Sequence, residues 1–432
     1  MRIKEILNLI YNNELKMNNS INLVSSENQM SSYAKLALMS DSYNRYFFNP
    51  DLNPDSWNFQ GCKSIYEVET KFCIPILKRL ACAEFVNIRP LSGLSCMMLI
   101  LNSLGGDPGS KIMTVSPMQG GHYATESLAK SFGLYVDFIP GIDGQSFDYK
   151  KLEVMINREN YSLIYIDQSY CLFPIDLEKV VGIVKNANKK TLVHVDVSHT
   201  MGLVLGEALE NPLKQGADSF GGSTHKTFPG PQKGIFCTNS KELADIVKKN
   251  QFFMISHHHF GEVLSLGISL SEFEECDGKH YAKQVRLNAK QFANCMKERG
   301  YDVKFKERGF TETHQIWMST ANIGIDTYEA AMRLFDRGII TNVLYDLPMI
   351  DEATLRIGVN EFTWLGACEK EVEELVDIID TIIRGKDTEQ IGVRIQKLKK
   401  CLNKPYCYKD KKMSALVNEF INISIYDVLG ED

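Results

Sequence analysis

The chain of 432 residues carries 48 Lys and Arg against 54 Asp and Glu, a formal net charge of -6, with 44% hydrophobic and 24% charged side chains; it can bury a substantial core and has room for two domains. The charge is spread with few like-sign runs, which excludes a basic face suited to nucleic acid or an anionic membrane. Its eleven cysteines stand singly, with no CxxC pair and an odd total, so they read as reduced small hydrophobes of a cytoplasmic protein rather than a disulfide framework or a zinc site.

The first stretch, MRIKEILNLIYNNELKMNN, places apolar residues at Ile3, Ile6, Leu7, Ile10 and Tyr11, with Glu5 and Glu14 interrupting any apolar run. This predicts an amphipathic helix rather than a signal peptide, the start of a helical arm over 1–40. No window approaches the roughly 20 apolar residues of a membrane helix. From about Phe85 to Asn239 short apolar runs alternate with helical patterns: FVNI, KIMTVSP, LYVDFIP, YSLIYID, TLVHVDV and KGIFCTN. Runs rich in β-branched residues, separated by helices, predict a mostly parallel sheet in a βαβ layout, here the core of a large domain over 41–270. DLEKVVGIVKNANKK (176–190) shows the connecting pattern: Asp176 can cap, Leu177, Val180, Val181 and Val184 share a face, and lysines end it. Beyond the helical region after His257, YDVKF, HQIWMST and TLRIGV alternate with AAMRLFDRG and KEVEELVDIIDTII, a smaller α+β domain over 271–408. The stretch 409–432 is polar, then weakly helical, and reads as an appended tail.

In such sheets ligands gather beyond the carboxyl ends of the strands. Asp196 ends TLVHVDV, and Lys226 follows thirty positions later in the loop GGSTHKTFPGPQKG. A strand-end aspartate with a lysine in a glycine- and hydroxyl-rich loop is what a pyridoxal phosphate site requires: the amine forms a Schiff base with the aldehyde, and the carboxylate keeps the pyridine nitrogen protonated. Taken singly, the same residues read as a loop cap and a surface charge. Ser92 and Gly93 follow FVNIRP and open a helix, where free backbone N–H groups and the helix dipole favour a phosphate; the plain alternative is an N-cap. His122 follows Gly120 and Gly121, either as a ring that stacks on an aromatic cofactor or as a buried histidine with a backbone partner.

Together these motifs resemble serine hydroxymethyltransferase, a fold-type I pyridoxal phosphate family. LVSSEN (23–28) is similar to the family's ASEN motif and NFQGCKSIYEVE (58–69) to YYGGCEYVDEIE. PLSG (90–93), GGH (120–122), DVSHTMGL (196–203), STHKTFPGPQKG (223–234), YAKQVRLNAKQFANCMKERGYDV (281–303) and LRIGVNEFTWLG (355–366) follow in the family's order and spacing. The likeness runs from about residue 20 to about 408. It implies a large domain with a mostly parallel seven-stranded sheet and a smaller C-terminal α+β domain. It implies Lys226 as the Schiff-base lysine, Asp196 as the pyridinium partner and His122 as the stacking ring. Ser92, Gly93, Ser223 and His225 would serve the phosphate, and Ser169 the phenolic oxygen region. His199 would lie at the cofactor and, with Ser26 and Arg356, surround the substrate carboxylate, Arg356 as a bidentate clamp. Family members are dimers that share active sites, and Tyr46 matches the tyrosine lent by the neighbour. The run His257-His258-His259 is read as part of that interface, since adjacent histidines do not face one point and no acidic partner lies at ligand spacing.

The departures fall on the folate side. The family's YAEG motif, whose glutamate moves a proton in the folate reaction, corresponds to Tyr46-Phe47-Phe48-Asn49, so Phe48 stands in place of a carboxylate. The paired tyrosines of YYGG become Asn58 and Phe59, and Leu344 falls where an asparagine helps hold the pterin. The implied activity is folate-independent cleavage and condensation at Cα of a threonine-, serine- or glycine-type amino acid, as in threonine aldolases or transaldolases, with Phe47 and Phe48 lining an apolar aldehyde cleft. The alternatives are a divergent hydroxymethyltransferase that still uses a folate, and a non-catalytic relative that keeps the fold.

Overall fold

The computed structural model describes residues 2–429 except 48, 50, 54, 56, 188, 189 and 387–389. Along the chain run β1 (Ile21–Asn22), β2 (Phe85–Asn87), β3 (Lys111–Thr114), β4 (Tyr135–Phe138), β5 (Leu163–Asp167), β6 (Leu192–Asp196), β7 (Ser219–Ser223), β8 (Gly234–Thr238), β9 (Asp302–Val303), β10 (Gln315–Ser319), β11 (Ile339–Ile340), β12 (Asn342–Leu344) and β13 (Thr354–Gly358). The chain divides into two compact units: Met1–Glu27 with Cys171–Pro174 and Lys283–Pro405, and Asn28–Tyr170 with Ile175–Ala282 and Tyr406–Asp432. The helical arm read as 1–40 thus splits after Glu27, and the stretch from Tyr406 belongs with the larger unit.

The larger unit is built on a seven-stranded sheet in the order β2-β8-β7-β6-β5-β3-β4. Pairings from β7 through β6, β5 and β3 to β4 are parallel, and β8 runs antiparallel to both of its neighbours. This is the fold class that the alternation of short apolar runs and helices implies. Side chains of β5 serve both faces in turn. Leu163 and Tyr165 pack with Leu99, Ile100 and Leu101 of helix Gly93–Leu104 on one side. Ile164 and Ile166 pack with Leu152, Ile156, Val180 and Val184 on the other. Asp167, at the end of β5, therefore lies on the side of helix Gly93–Leu104, at the carboxyl edge where ligands bind.

The one strand of this sheet that the residue pattern conceals is β7, whose sequence SFGGS has no β-branched run. It is fully buried between β6 and β8, so tertiary pairing overrides weak local preference. The smaller unit holds an antiparallel sheet, β12-β13-β10-β9, and a short parallel pairing of β1 with β11. YDVKF yields only two paired residues, because Phe305 turns into the left-handed region at φ 60. Helix Glu369–Ile383 packs the apolar stripe Val372, Leu375, Val376, Ile379 and Ile383, as its periodicity predicts. Helix Arg2–Asn19 forms where expected, but none of its residues is buried. No helix among the described residues is long and apolar enough to cross a membrane.

Candidate active site

A cavity of about 220 Å³ opens at the carboxyl ends of β5, β6 and β7, walled by Ser92, Gly93, His122, Ser169, Asp196, His199, Ser223, His225 and Lys226 together with Leu94, Met97, Asp167, Gln168 and Ser198. All of these belong to the larger unit. Nine of the residues singled out from the sequence therefore converge on one pocket.

Each is placed by a local device. Ser92 caps helix Gly93–Leu104, accepting from Ser95 N at 3.1 Å, while Ser95 Oγ accepts from Ser92 N at 2.8 Å. The plain N-cap reading of Ser92 holds, and a capped helix start still offers free N–H groups to an anion. Asp196 is fixed by the Ser198 N–H at 2.8 Å and the Tyr165 hydroxyl at 2.9 Å. Gly222 sits at φ 133, and a Cβ there would meet Ser198 Oγ at 2.5 Å and Asp196 Oδ1 at 2.8 Å. Only glycine lets β7 pass this close beneath the carboxylate.

The lysine loop is a closed excursion between β7 and β8. Thr224 N donates to Lys233 O at 3.0 Å and Gly230 N to Thr224 O at 2.9 Å. Thr227 Oγ1 donates to His199 O at 2.9 Å and accepts from Gly202 N at 3.0 Å, which ties the loop to the segment after β6. Asn28 Nδ2 donates to Lys226 O at 2.7 Å. That role was not read from the sequence, although Asn28 closes the quoted motif LVSSEN; a short polar residue in a fixed motif was the available signal.

His122 is half-buried, and burial, with the nearby Lys226 charge adding, lowers its pKa although Asp196 opposes the shift. Its Nδ1 accepts the Ala124 N–H at 3.2 Å, so the neutral ring carries its proton on Nε2. Burial also pushes His225 down to about 4, leaving it neutral.

Whether the pocket suits pyridoxal phosphate can be judged from its own unsatisfied groups. Ser223 Oγ and His225 Nδ1 are buried without a hydrogen-bond partner, a state native interiors avoid unless a ligand or water completes it. Both lie in the pocket wall with the N-terminus of helix Gly93–Leu104. A donor-rich end for a phosphate, a carboxylate for a ring nitrogen and a lysine amine for an aldehyde are all present, so the residues fit the group.

Two of the remaining sequence candidates, Arg356 and Ser26, belong to the smaller unit. Arg356 sits in the middle of β13 in the smaller unit, opposite Trp317 and Asn342, buried, with Nε donating to Gln315 Oε1 at 3.0 Å. Ser26, also in that unit, is half-buried. Tyr46 is exposed and stacks on His257 at 4.8 Å. Phe48 lies outside the described residues. Phe47 is fully buried, stacked on Phe260 at 3.9 Å and edge-on to Trp57 and His258; it is a core residue, which corrects its reading as a cleft liner.

The serine hydroxymethyltransferase family model matches residues 1–379. An L-threonine:uridine-5'-aldehyde transaldolase from Amycolatopsis sp is 43% identical over 86% of this chain and 90% of its own length. A Streptomyces sp protein of the same name is 40% identical over 87% and 90%, and a serine hydroxymethyltransferase from Methanosphaera stadtmanae is 33% identical over 89% and 90%. Among solved structures, an L-threonine transaldolase from Pseudomonas fluorescens superposes with a TM-score of 0.81 at 25% identity, covering 97% of each chain. Motif order and sheet topology thus agree with a match along most of the sequence: the chain belongs to the serine hydroxymethyltransferase family of pyridoxal-phosphate-dependent enzymes.

Proposed function

We propose that this enzyme is an L-threonine transaldolase that works without folate: L-threonine and an acceptor aldehyde exchange a glycyl unit, giving acetaldehyde and a new β-hydroxy-α-amino acid. One Cα–Cβ bond breaks and one forms, the hydroxyl proton leaves with the first aldehyde's departure and is restored on the second, and no redox partner is needed. The observation that carries the reading is the gradient of identity, 43% and 40% to two transaldolases against 33% to a hydroxymethyltransferase. The replacement of the folate-side residues by Phe48, Asn58, Phe59 and Leu344 supports it.

Bound pyridoxal phosphate supplies the electron sink for charge that develops at Cα. In this assignment Lys226 holds the cofactor through its amine, Asp196 keeps the ring nitrogen protonated, and Ser92, Gly93, Ser223 and His225 receive the phosphate. Ser169 faces the phenolic oxygen. His199, Ser26 and Arg356 orient the substrate carboxylate, an assignment that rests on the family resemblance. The Nε2–H tautomer of His122 leaves that neutral ring no free lone pair, which favours stacking over proton abstraction and gives the hydroxyl proton to water. Tyr46 is assigned to the neighbouring subunit's site in a homodimer, and Phe48 to the acceptor side. The buried thiols Cys62, Cys73, Cys96 and Cys237 are consistent with a reducing, cytoplasmic setting. The names of the curated relatives make a nucleoside 5'-aldehyde the first acceptor to try.

The test is to incubate the holoenzyme with L-threonine and uridine-5'-aldehyde or simple aldehydes, with and without tetrahydrofolate, and to weigh the products. Acceptor-dependent acetaldehyde release, with a product of acceptor plus glycine mass and no folate requirement, is expected. Tetrahydrofolate-dependent interconversion of serine and glycine, with no aldehyde adduct, would establish the hydroxymethyltransferase reading instead.

A further inference from the structure

The pocket contains a second carboxyl group. Asp167 ends β5 as Asp196 ends β6, and the parallel register sets them directly opposite one another. Asp167 is only 3% exposed and lines the same cavity. Side chains paired in parallel register project to the same face, so the two carboxyl groups are neighbours. Their partners differ. Asp167 Oδ2 accepts the backbone N–H of His122 at 3.2 Å and contacts the Thr125 hydroxyl, while Oδ1 accepts from Thr114 Oγ1 at 3.2 Å. The N–H groups of Ser169 and Tyr170, just beyond Asp167, donate to Gly120 O at 2.8 and 3.2 Å. The turn that carries His122 is thereby stitched to the end of β5.

We propose that Asp167 is a positioning residue that holds the His122 turn at the pocket wall, and that it does so as a neutral carboxylic acid. Two ionised carboxylates side by side in a buried strand end repel, and one of such a pair takes up a proton. The groups facing Asp167 are Thr114 from β3, His122 from the turn, Thr125 from helix Thr125–Ser131, Tyr165 from its own strand and Asp196 from β6. The side-chain charge that acts on it most strongly is the repulsive one of Asp196. Burial, with that repulsion added, pushes Asp167 up to about 8, against the hydrogen bonds from Thr125, His122 and Thr114, which favour the charged form. The hydrogen bonds accommodate the proton: Thr125 Oγ1 also lies 3.4 Å from Met97 Sδ. A protonated Asp167 can therefore donate to Thr125, which turns its own proton to the sulfur, while the His122 N–H bond is kept.

The inference rests on the assignment of this pocket to pyridoxal phosphate, which uptake of the cofactor by the unaltered enzyme tests separately. Infrared spectra of the holoenzyme and of Asp167→Asn at neutral pH and above about 8 test the protonation. A protonated-carboxyl stretch is expected in the wild type at neutral pH, lost on raising the pH and absent from Asp167→Asn. Cofactor dissociation constants test the positioning. Asp167→Ala should weaken binding by about tenfold or more, as supporting contacts around a site do, and Asp167→Asn, which keeps an acceptor for the His122 N–H, by no more than about threefold. Absence of the stretch at neutral pH, or an asparagine variant as weak as the alanine one, would overturn the proposal. If Asp167→Ala does not fold, the spectra and the asparagine constant decide it.

Discussion

Gly222 shows how a single residue can govern the site without touching substrate. Its φ of 133 is one that L side chains rarely adopt, and the space where a Cβ would stand is filled by Ser198 and Asp196. Gly222→Ala therefore combines backbone strain of about 1–3 kcal/mol with displacement of the aspartate. Expected are a lower urea midpoint and weaker cofactor binding in the same variant; a protein of unchanged stability and affinity would show that β7 can move away from β6. Lys226 and Asp196 are legible in the sequence because their chemistry forces a rare pairing of residue types at strand ends. Asp167 obeys the same strand-end rule in YSLIYID and is followed at the same spacing by Ser169, as Asp196 is by Ser198, yet no lysine-bearing loop pairs with it to mark it, and its use lies in the backbone of His122, which no sequence pattern displays. Phe47 shows the opposite failure. Its neighbourhood in sequence suggested a cleft, whereas its stacking on Phe260 depends on a contact more than two hundred residues away.

Among the elements, the strands buried on both faces are readable because their β-branched runs have no other use, and β7 is not, because glycines chosen for closeness erase the signal. The buried charges around β2 form another unit of this kind. Arg89, just after β2, donates to Glu69 Oε1 at 3.2 Å and to Asn49 O at 2.9 Å, and the His258 ring lies 3.5 Å from Glu69 Oε2. Lys233, at the end of the lysine loop, donates to His258 O at 2.9 Å. The cluster joins the segment around Asn49 to the loop bearing Lys226. Burial opposes ionisation of Glu69, but the Arg89 charge and the His258 contact overrule it and hold it down to about 2. Because burial pushes His258 down to about 4, that ring is neutral at neutral pH and Arg89 is the effective partner. A depressed carboxylate contributes stability that is present above its ordinary value of 4.5 and lost as the pH falls through about 2. The shift corresponds to about 3 kcal/mol, within the range of about 3–5 kcal/mol for breaking a buried pair. Glu69→Gln should thus lower stability by about 3 kcal/mol at neutral pH, with the gap to wild type closing as the pH drops below 4.5. Urea unfolding of both proteins across that range checks it, and a gap independent of pH would remove Arg89 from the account.

At the scale of the whole molecule, the exposed apolar face of helix Arg2–Asn19 has to be reconciled with its composition. Ile3, Leu7 and Ile10 are 71%, 57% and 54% exposed in the single chain, although their spacing is that of a buried stripe. An amphipathic helix left this bare is unusual for an isolated subunit and expected for one whose apolar face meets a second copy. Phe252 and Phe253 add further exposed aromatic surface, and Tyr46 stacks on His257 in the segment read from the sequence as interface. Burying a side chain of this size contributes about 1.5 kcal/mol or more, and a two-fold interface carries each substitution twice, so replacing these three with glutamate in both subunits should remove roughly 9 kcal/mol, on the order of a millionfold in the dimer dissociation constant. The expected outcome in sedimentation velocity is a dimer for the wild-type protein and a concentration-dependent mixture, or monomer, for the variant Ile3→Glu/Leu7→Glu/Ile10→Glu. If the neighbour's Tyr46 completes the site, specific activity should fall with dilution of that variant in step with the loss of dimer. A variant that stays dimeric would place the interface elsewhere, and one that becomes monomeric with full activity would show that each subunit carries its whole site.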